Sequence, residues 1–470
     1  MIDSTNHTTS ARQPVLCAAT PFQIYNDRTT SNPINNVWDR EPESLKGANK
    51  STRDFYFSSC QWTPDGSSLL ATSSDNTARI FVAPPDLLSD LDNPSSTAKD
   101  LLPYSRLQFP SAPTATAIYP GFQISEFAPA LVLVSTEDHP IKLYNVHSQE
   151  CVASYPLFNP HRDIYDNALA LEFTGAAGSN DTFLAGTRGQ RGRVDMFSLL
   201  RPGASTETTR PLTSAHVPDS MAAGYRRAIV SAIATQPCQN NSLVAAVGFY
   251  QGGTERTAKS SAVALYDFRV DSVNARCTIL SPPLSSSGEY SWTKQTSGTT
   301  SLLWSPEPGS DNLLYQVLRG GYSRVIVRDT RMDLGEVGQL SDPALETLST
   351  VQRLGVDWVP SLHGRSAFDL YAGTSTGSVY VYKDPFESLA GRLNQISELG
   401  GGSVTNPQVE TMKMTNDSRT SVCDVSWNPQ VTQNGVEVIA TCCGTRKSTD
   451  EEDEDLNFPE TGIKIWALFK

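Results

Sequence analysis

The sequence is poor in the features that announce chemistry. Its 470 residues include only six histidines, none following a glycine, and its eight cysteines form no C-x-x-C pair. No H-E-x-x-H and no Cys/His spacing typical of zinc occurs, so no metal site is expected. No G-x-x-x-x-G-K-[ST] phosphate loop is present either. Gly444-Thr445-Arg446-Lys447-Ser448 lacks the first glycine and the strand-to-helix setting that such a loop needs, and no cofactor is expected. The most apolar short stretch, Ala128 to Val134, is far too short to cross a bilayer, and the opening MIDSTNHTTSARQPVL has neither a basic nor an apolar leader region. Neither membrane insertion nor secretion is expected on this reading, and the absence of C-x-x-C pairs points to a reduced, intracellular setting. Positive charge is scarce as well. The formal net charge is −13, with six acidic residues in one run from Asp450 to Asp455, which argues against a nonspecific nucleic-acid coat but leaves room for a local basic patch.

What the sequence does contain is repetition. The pattern W-x-P occurs four times, at Trp62-Thr63-Pro64, Trp304-Ser305-Pro306, Trp358-Val359-Pro360 and Trp427-Asn428-Pro429, using four of the seven tryptophans. Degenerate copies stand at Phe173 and Ala234, and Tyr119 occupies the place of a further one, giving seven anchors separated by roughly 54 to 70 residues, long spacings for a WD repeat. After each anchor comes an apolar strand ending in small residues, a polar turn and a second alternating strand. The copies run from LLATSSDNTARIFV through LYAGTSTGSVYVYK to VIATCCGT and TGIKIWALF. A small residue before the turn lets inner strands crowd near an axis, and Asn, Asp or Gly in the turn tolerates positive φ.

These repeats predict an all-β fold, a seven-bladed WD-repeat β-propeller with a few inserted loops and short helices. A β-sandwich with chance likeness among its strands is the competing architecture; Gly-His and Trp-Asp dipeptides are almost absent. Residues 54–470 are expected to form the propeller. Residues 1–53 form an N-terminal segment, of which 15–25 should supply the outer strand of the last blade, since the final copy ends at the chain terminus. Asp86 to Leu102 and Phe386 to Leu399 read as short rim helices, and Ala204 to Thr213 and Gly400 to Asn406 as flexible loops.

One catalytic pattern appears, Gly373-Thr374-Ser375-Thr376-Gly377, which fits the G-x-S-x-G of hydrolase elbows. That motif needs a strand-to-helix turn, whereas here it lies in a hairpin of the sixth repeat, so the chain is not expected to be an enzyme. Acidic pairs such as Glu137 and Asp138 sit in turns, where solvated charge explains them.

Because strands in a blade run up and down, turns between second and third strands share a face with the connections to the next blade. That face gathers Arg162, Arg188, Arg191, Arg193, Arg319 and Arg324, with Tyr165 and Tyr322 available to stack on bases, a composition suited to single-stranded RNA. The plainer reading is that these arginines are solvated turn residues. The acidic run near 450 falls on the same face, where it would either swing aside or compete for the arginines.

The run Cys60 to Phe81 followed by Pro84-Pro85, then Asp138-His139-Pro140-Ile141-Lys142-Leu143-Tyr144 leading into Ala153 to Asn159, resembles the telomerase Cajal body protein family. So do Arg201-Pro202-Gly203 and Asp329-Thr330-Arg331. The resemblance covers most of the chain from about Asp54 onward. It implies a non-enzymatic propeller that binds small nuclear RNA or telomerase RNA and ribonucleoprotein subunits, assists their assembly or delivery in the nucleus with the cytoplasm as a further compartment, and includes a fungal branch linked to mRNA splicing. The almost absent extensions and the lack of a Lys/Arg-rich nuclear signal weigh against telomerase delivery more than against RNA binding. A protein-only interaction scaffold is the alternative, favoured by the acidic balance. Insertions over the blade edges suggest a monomer.

Overall fold

The computed structural model describes residues 14–21, 56–89, 91, 97–159, 164–175, 181–187, 193–199, 211–216, 228–237, 243–251, 260–268, 276–280, 298–318, 325–331, 336–340, 353–362, 367–386, 409–415, 420–430, 435–444 and 461–469. Among them are seven antiparallel blades, each with its first strand innermost. Blade 1 runs Phe57–Trp62, Ser68–Ser73, Thr77–Val82, Pro103–Gln108, and blade 2 runs Pro113–Ile118, Leu131–Thr136, Ile141–Asn145, Cys151–Tyr155. Blade 3 comprises Ala168–Phe173, Thr182–Thr187, Val194–Ser198, Thr213–Ala215; blade 4 comprises Ile229–Thr235, Val244–Gln251, Ser260–Asp267, Arg276–Leu280. In blade 5 the strands are Thr299–Trp304, Leu313–Leu318, Val325–Asp329 and Glu336–Leu340, and in blade 6 Val356–Pro360, Phe368–Gly373, Ser378–Tyr382 and Val409–Lys413. Blade 7 joins Val422–Trp427, Val436–Cys443 and Gly462–Phe469 to Val15–Ala19, which pairs antiparallel with the last of these. The all-β propeller of seven blades is the architecture the repeats predict.

The apolar pattern explains why the blades stack. Second strands are buried on both faces, so they read as continuous apolar runs instead of alternating ones. In Ser68–Ser73, Leu69 and Ala71 pack toward blade 7 while Leu70 packs toward blade 2. The same division recurs around the ring, giving seven apolar clusters, one in each gap between adjacent blades.

Small residues before the second-to-third turn are a packing requirement. A Cβ added to Gly186 would lie 2.2 Å from Cγ1 of Val230 in the next blade, closer than any two carbons can sit. In six blades the ladder slips near the start of the first strand, leaving one residue bulged. Where that residue carries a hydroxyl it bonds back to the second strand: Ser58 to the Thr72 carbonyl (3.3 Å), Thr114 to Ser135 (3.2 Å), Ser231 to Gly248 (3.4 Å) and Thr300 to Val317 (3.3 Å).

Two of the four W-x-P tryptophans latch neighbouring blades through their indoles. The Trp358 indole donates to the Trp304 carbonyl and the Trp304 indole to the Ala234 carbonyl, each at 3.0 Å. Trp427 turns instead to the Glu437 carboxylate, 3.0 Å away. The register also corrects two anchors. The residues opposite the second strand at the position of Trp62 are Ile118 and Thr235, one before Tyr119 and one after Ala234, because alignment by aromatic identity slips where the aromatic is missing.

Asp86 to Leu102 is not a helix among its described residues. It forms turns followed by the two-residue strand Lys99–Asp100, which pairs parallel with Val15–Ala19 and covers the outer edge of blade 7. Leu87 and Leu101 are buried there, with Leu88 and Leu91 partly buried beside them, against the blade 7–blade 1 core, so this segment seals the seam as turns and a short strand instead of a rim helix. Of Phe386 to Leu399 only Phe386 is described, and the segments 204–210 and 400–406 lie outside the described residues.

Candidate functional site

The inner strands surround a central channel of about 510 Å³ lined by residues from all seven blades. Its walls are mostly small or apolar, yet three carboxylates face it: Glu172, Asp357 and Asp424. Sequence reasoning missed these. The available signal was an acid one or three residues before the anchor, inside an otherwise apolar strand.

An innermost strand has one edge with no partner strand, so its outward N–H groups need acceptors. Asp357 accepts from the Trp358 amide of its own strand and from the Trp427 amide of blade 7, both at 2.8 Å. Asp424 accepts from Val425 (3.0 Å) and across the ring closure from Cys60 (3.1 Å), and the Ser426 hydroxyl accepts the Trp62 amide at 3.0 Å. Among the described residues Glu172 is held by the Thr235 hydroxyl at 3.5 Å. Burial raises all three acids above the ordinary carboxylate range, Asp357 to about 6, Glu172 and Asp424 to about 7. At Asp424 the charge of Arg353 and the two amide bonds oppose burial, while the neighbouring Asp357 charge adds to it. A Cβ on Gly355 would fall 1.5 Å from Asp424 Oδ1, so the carboxylate packs directly against the glycine backbone. These acids are therefore committed to holding blades together, and no group of three His, Cys, Asp or Glu side chains among the described residues is arranged to hold a metal.

Ser375 sits in the turn between Phe368–Gly373 and Ser378–Tyr382. Thr374 Oγ1 donates to the Ser378 carbonyl there at 2.8 Å, and Gly377 has φ of 76°. No strand-to-helix elbow is formed.

On the face of second-to-third turns and blade connections, Tyr165 stands on a short hairpin made by Phe158–Asn159 and Ile164–Tyr165 between blades 2 and 3. Phe158, Ile164 and Tyr165 are exposed, and Phe158 meets Tyr165 edge-to-face with ring centroids 6.2 Å apart. Arg193 enters the third strand of blade 3 with its guanidinium turned onto Asp195, Nε to Oδ1 at 2.8 Å and Nη2 to Oδ2 at 2.7 Å, and the Ser214 hydroxyl completes that carboxylate at 2.5 Å. Asp195 is fully buried, so this pair fastens the start of the strand and occupies the arginine. Blade 1 ties its equivalent turn with Arg79, paired to Asp75 and packed 5.8 Å over Phe57. Burial alone would raise Asp75, but Arg79 and the Ser73 and Thr77 hydroxyls hold it below the usual range. Arg162, Arg188, Arg191, Arg319, Tyr322, Arg324 and the acidic run 450–455 lie outside the described residues.

Seven four-stranded blades around a shared channel, four of them carrying W-x-P at the end of the inner strand, define a WD-repeat β-propeller. The chain is distantly related to Telomerase Cajal body protein 1: it is 28% identical over 152 residues to the protein of Mesocricetus auratus, covering 32% of this chain and 27% of that protein. With the rat protein it is 28% identical over 169 residues, covering 35% and 30%. It is likewise 30% identical over 120 residues, 25% of this chain and 29% of the relative, to Guanine nucleotide-binding protein negative regulator 1 of Schizosaccharomyces pombe. The matches span less than a third of the length of these curated relatives. No protein-family model matches the chain.

Proposed function

We propose that this propeller is a non-catalytic scaffold that binds a small nuclear or telomerase-type RNA and assists assembly of its ribonucleoprotein in the nucleus. The distant relationship to Telomerase Cajal body protein 1 carries the reading, because that protein's name ties it to telomerase and the Cajal body. The exposed Phe158 and Tyr165 on a paired hairpin support it by offering aromatic faces that need no rearrangement to stack on unpaired bases. Arg162, Arg188, Arg191, Arg319 and Arg324, with Tyr322, supply the phosphate contacts and a further stacking ring in this proposal. Arg193 is tied to Asp195 and is left out of these contacts.

Ultraviolet crosslinking in cells, followed by sequencing of attached RNA, tests it. Enrichment of one class of small nuclear RNA is expected, falling in Tyr165→Ala and in the double charge reversal Arg188→Glu/Arg191→Glu. Background RNA on the wild-type chain overturns the reading.

A further inference from the structure

The opposite face, where first-to-second and third-to-fourth strand connections emerge, carries its own surface. Tyr104 at the start of the outer strand of blade 1, Phe127 in the first connection of blade 2 and His147 in the third-to-fourth strand turn of blade 2 form one aromatic cluster. Phe127 stacks on the imidazole with centroids 5.7 Å apart at 19°, and Tyr104 stands edge-on at 5.9 Å with its hydroxyl 2.9 Å from Nδ1. Phe127 is 62% exposed and Tyr104 53%, and Leu102, two residues before Tyr104, is 56% exposed. Apolar exposure on this scale within one cluster marks a contact surface.

The cluster is held in place. The buried Asn145 side chain donates to the Phe127 carbonyl at 2.6 Å and accepts the His147 amide at 2.9 Å, while the Ser105 hydroxyl fastens blade 1 to the Val146 carbonyl at 2.7 Å. A partner would pay little to order it. His147 Nε2 is shielded from solvent and has no hydrogen-bond partner among the described residues.

Charge selects the occupant. Asp100, Glu126 and Glu150, exposed and close in sequence to Leu102, Phe127 and His147, carry no ion pair among the described residues. The cations beside them are engaged, Lys99 with Asp86 at 2.6 Å and Arg106 with the Gln108 side chain at 3.0 Å. Exposed aromatic faces with unpaired carboxylates next to them in the sequence suit a guanidinium, which stacks on rings and pairs with carboxylates at once. We propose that this surface docks an arginine-bearing peptide segment of a protein partner, on the face opposite to the RNA contacts proposed above.

Fluorescence anisotropy on the full chain, with a labelled peptide of arginines spaced by serine and glycine, tests the assignment. The same peptide with lysine or with glutamate replacing arginine serves as comparison. The arginine peptide is expected to bind tightest and the glutamate peptide not at all. Phe127→Ala is expected to weaken the arginine peptide about tenfold, and Glu126→Lys to weaken it several-fold. Tyr165→Ala on the other face should leave the peptide unaffected, so that loss of the RNA reading and loss of this one are separable. Equal binding of wild type and Phe127→Ala, or equal weakening by Tyr165→Ala, overturns the proposal in favour of diffuse attraction to an acidic protein.

Discussion

The closure between blades 7 and 1 and the junction between blades 3 and 4 solve one problem with different chemistry. Both must bring a first strand against the second strand of its neighbour. At the closure an apolar cluster is supplemented by directional hydrogen bonds. Asp424 and Ser426 take the Cys60 and Trp62 amides, and Asn428 and Gln430 donate to the Gly66 and Pro64 carbonyls at 2.9 and 3.1 Å. At the 3–4 junction steric and apolar packing dominates, with Gly186 under Val230 and a cluster from Ala170 to Phe268, and the polar ties among the described residues are two long bonds from the Thr235 hydroxyl to Glu172 and the Phe173 carbonyl. The closure joins segments over 360 residues apart in sequence, and directional bonds fix its register where local connectivity cannot. The 3–4 junction joins consecutive repeats, so connectivity already sets register and close packing suffices.

The largest break should come from Gly355→Ala. Its methyl displaces Asp424 and leaves the Cys60 amide without its acceptor, costing about 3 kcal/mol in equilibrium urea unfolding. Combined with Asp424→Ser the loss should be smaller than the sum of the two single losses, by at least about 1 kcal/mol. Gly186→Ala should cost less, about 2 kcal/mol, because a methyl of Val230 can shift, and Val230→Ala should recover part of it. Asp424→Asn should cost about 1–2 kcal/mol: two amides need two acceptor atoms and an amide side chain offers one. Glu172→Gln, with a hydroxyl partner, should be neutral near pH 5 and slightly stabilising at pH 8.

Folded-state pKa values raised above the unfolded carboxylate range mean that the folded chain holds extra protons between about pH 4 and 7. The contribution of Glu172, Asp357 and Asp424 to stability is thus present near pH 4–5 and lost as pH rises through 6 to 7. Thermal unfolding across that window should show a decline that both Asp424→Asn and Glu172→Gln flatten. A decline unchanged in both variants would remove these acids as its source.

The repeat was legible because every blade must bury two faces and turn tightly, constraints that leave W-x-P, small residues and alternation in the chain. Ser375 was legible as a turn residue for the same reason. The anchors at Ile118 and Thr235 were misplaced by one because register is set by cross-strand pairing, which composition does not record. The channel acids were passed over since each looks like an isolated charge until the ring brings its acceptor oxygens to another blade. Arg193 looked like a surface cation, and its partner Asp195, two residues on, became visible only when the strand placed both side chains together.

The sequence by itself determined seven hairpins of one design, and with them the propeller, because local periodicity and turn chemistry act within a few residues. Only the tertiary structure decided which charges are committed and which are presented. Asp424, Asp357 and Arg193 are spent on contacts between blades and within one, while Tyr165, Tyr104 and Phe127 are left exposed. The physical reason is that burial and pairing are properties of neighbours in space, and in a ring those neighbours come from blades distant in the chain.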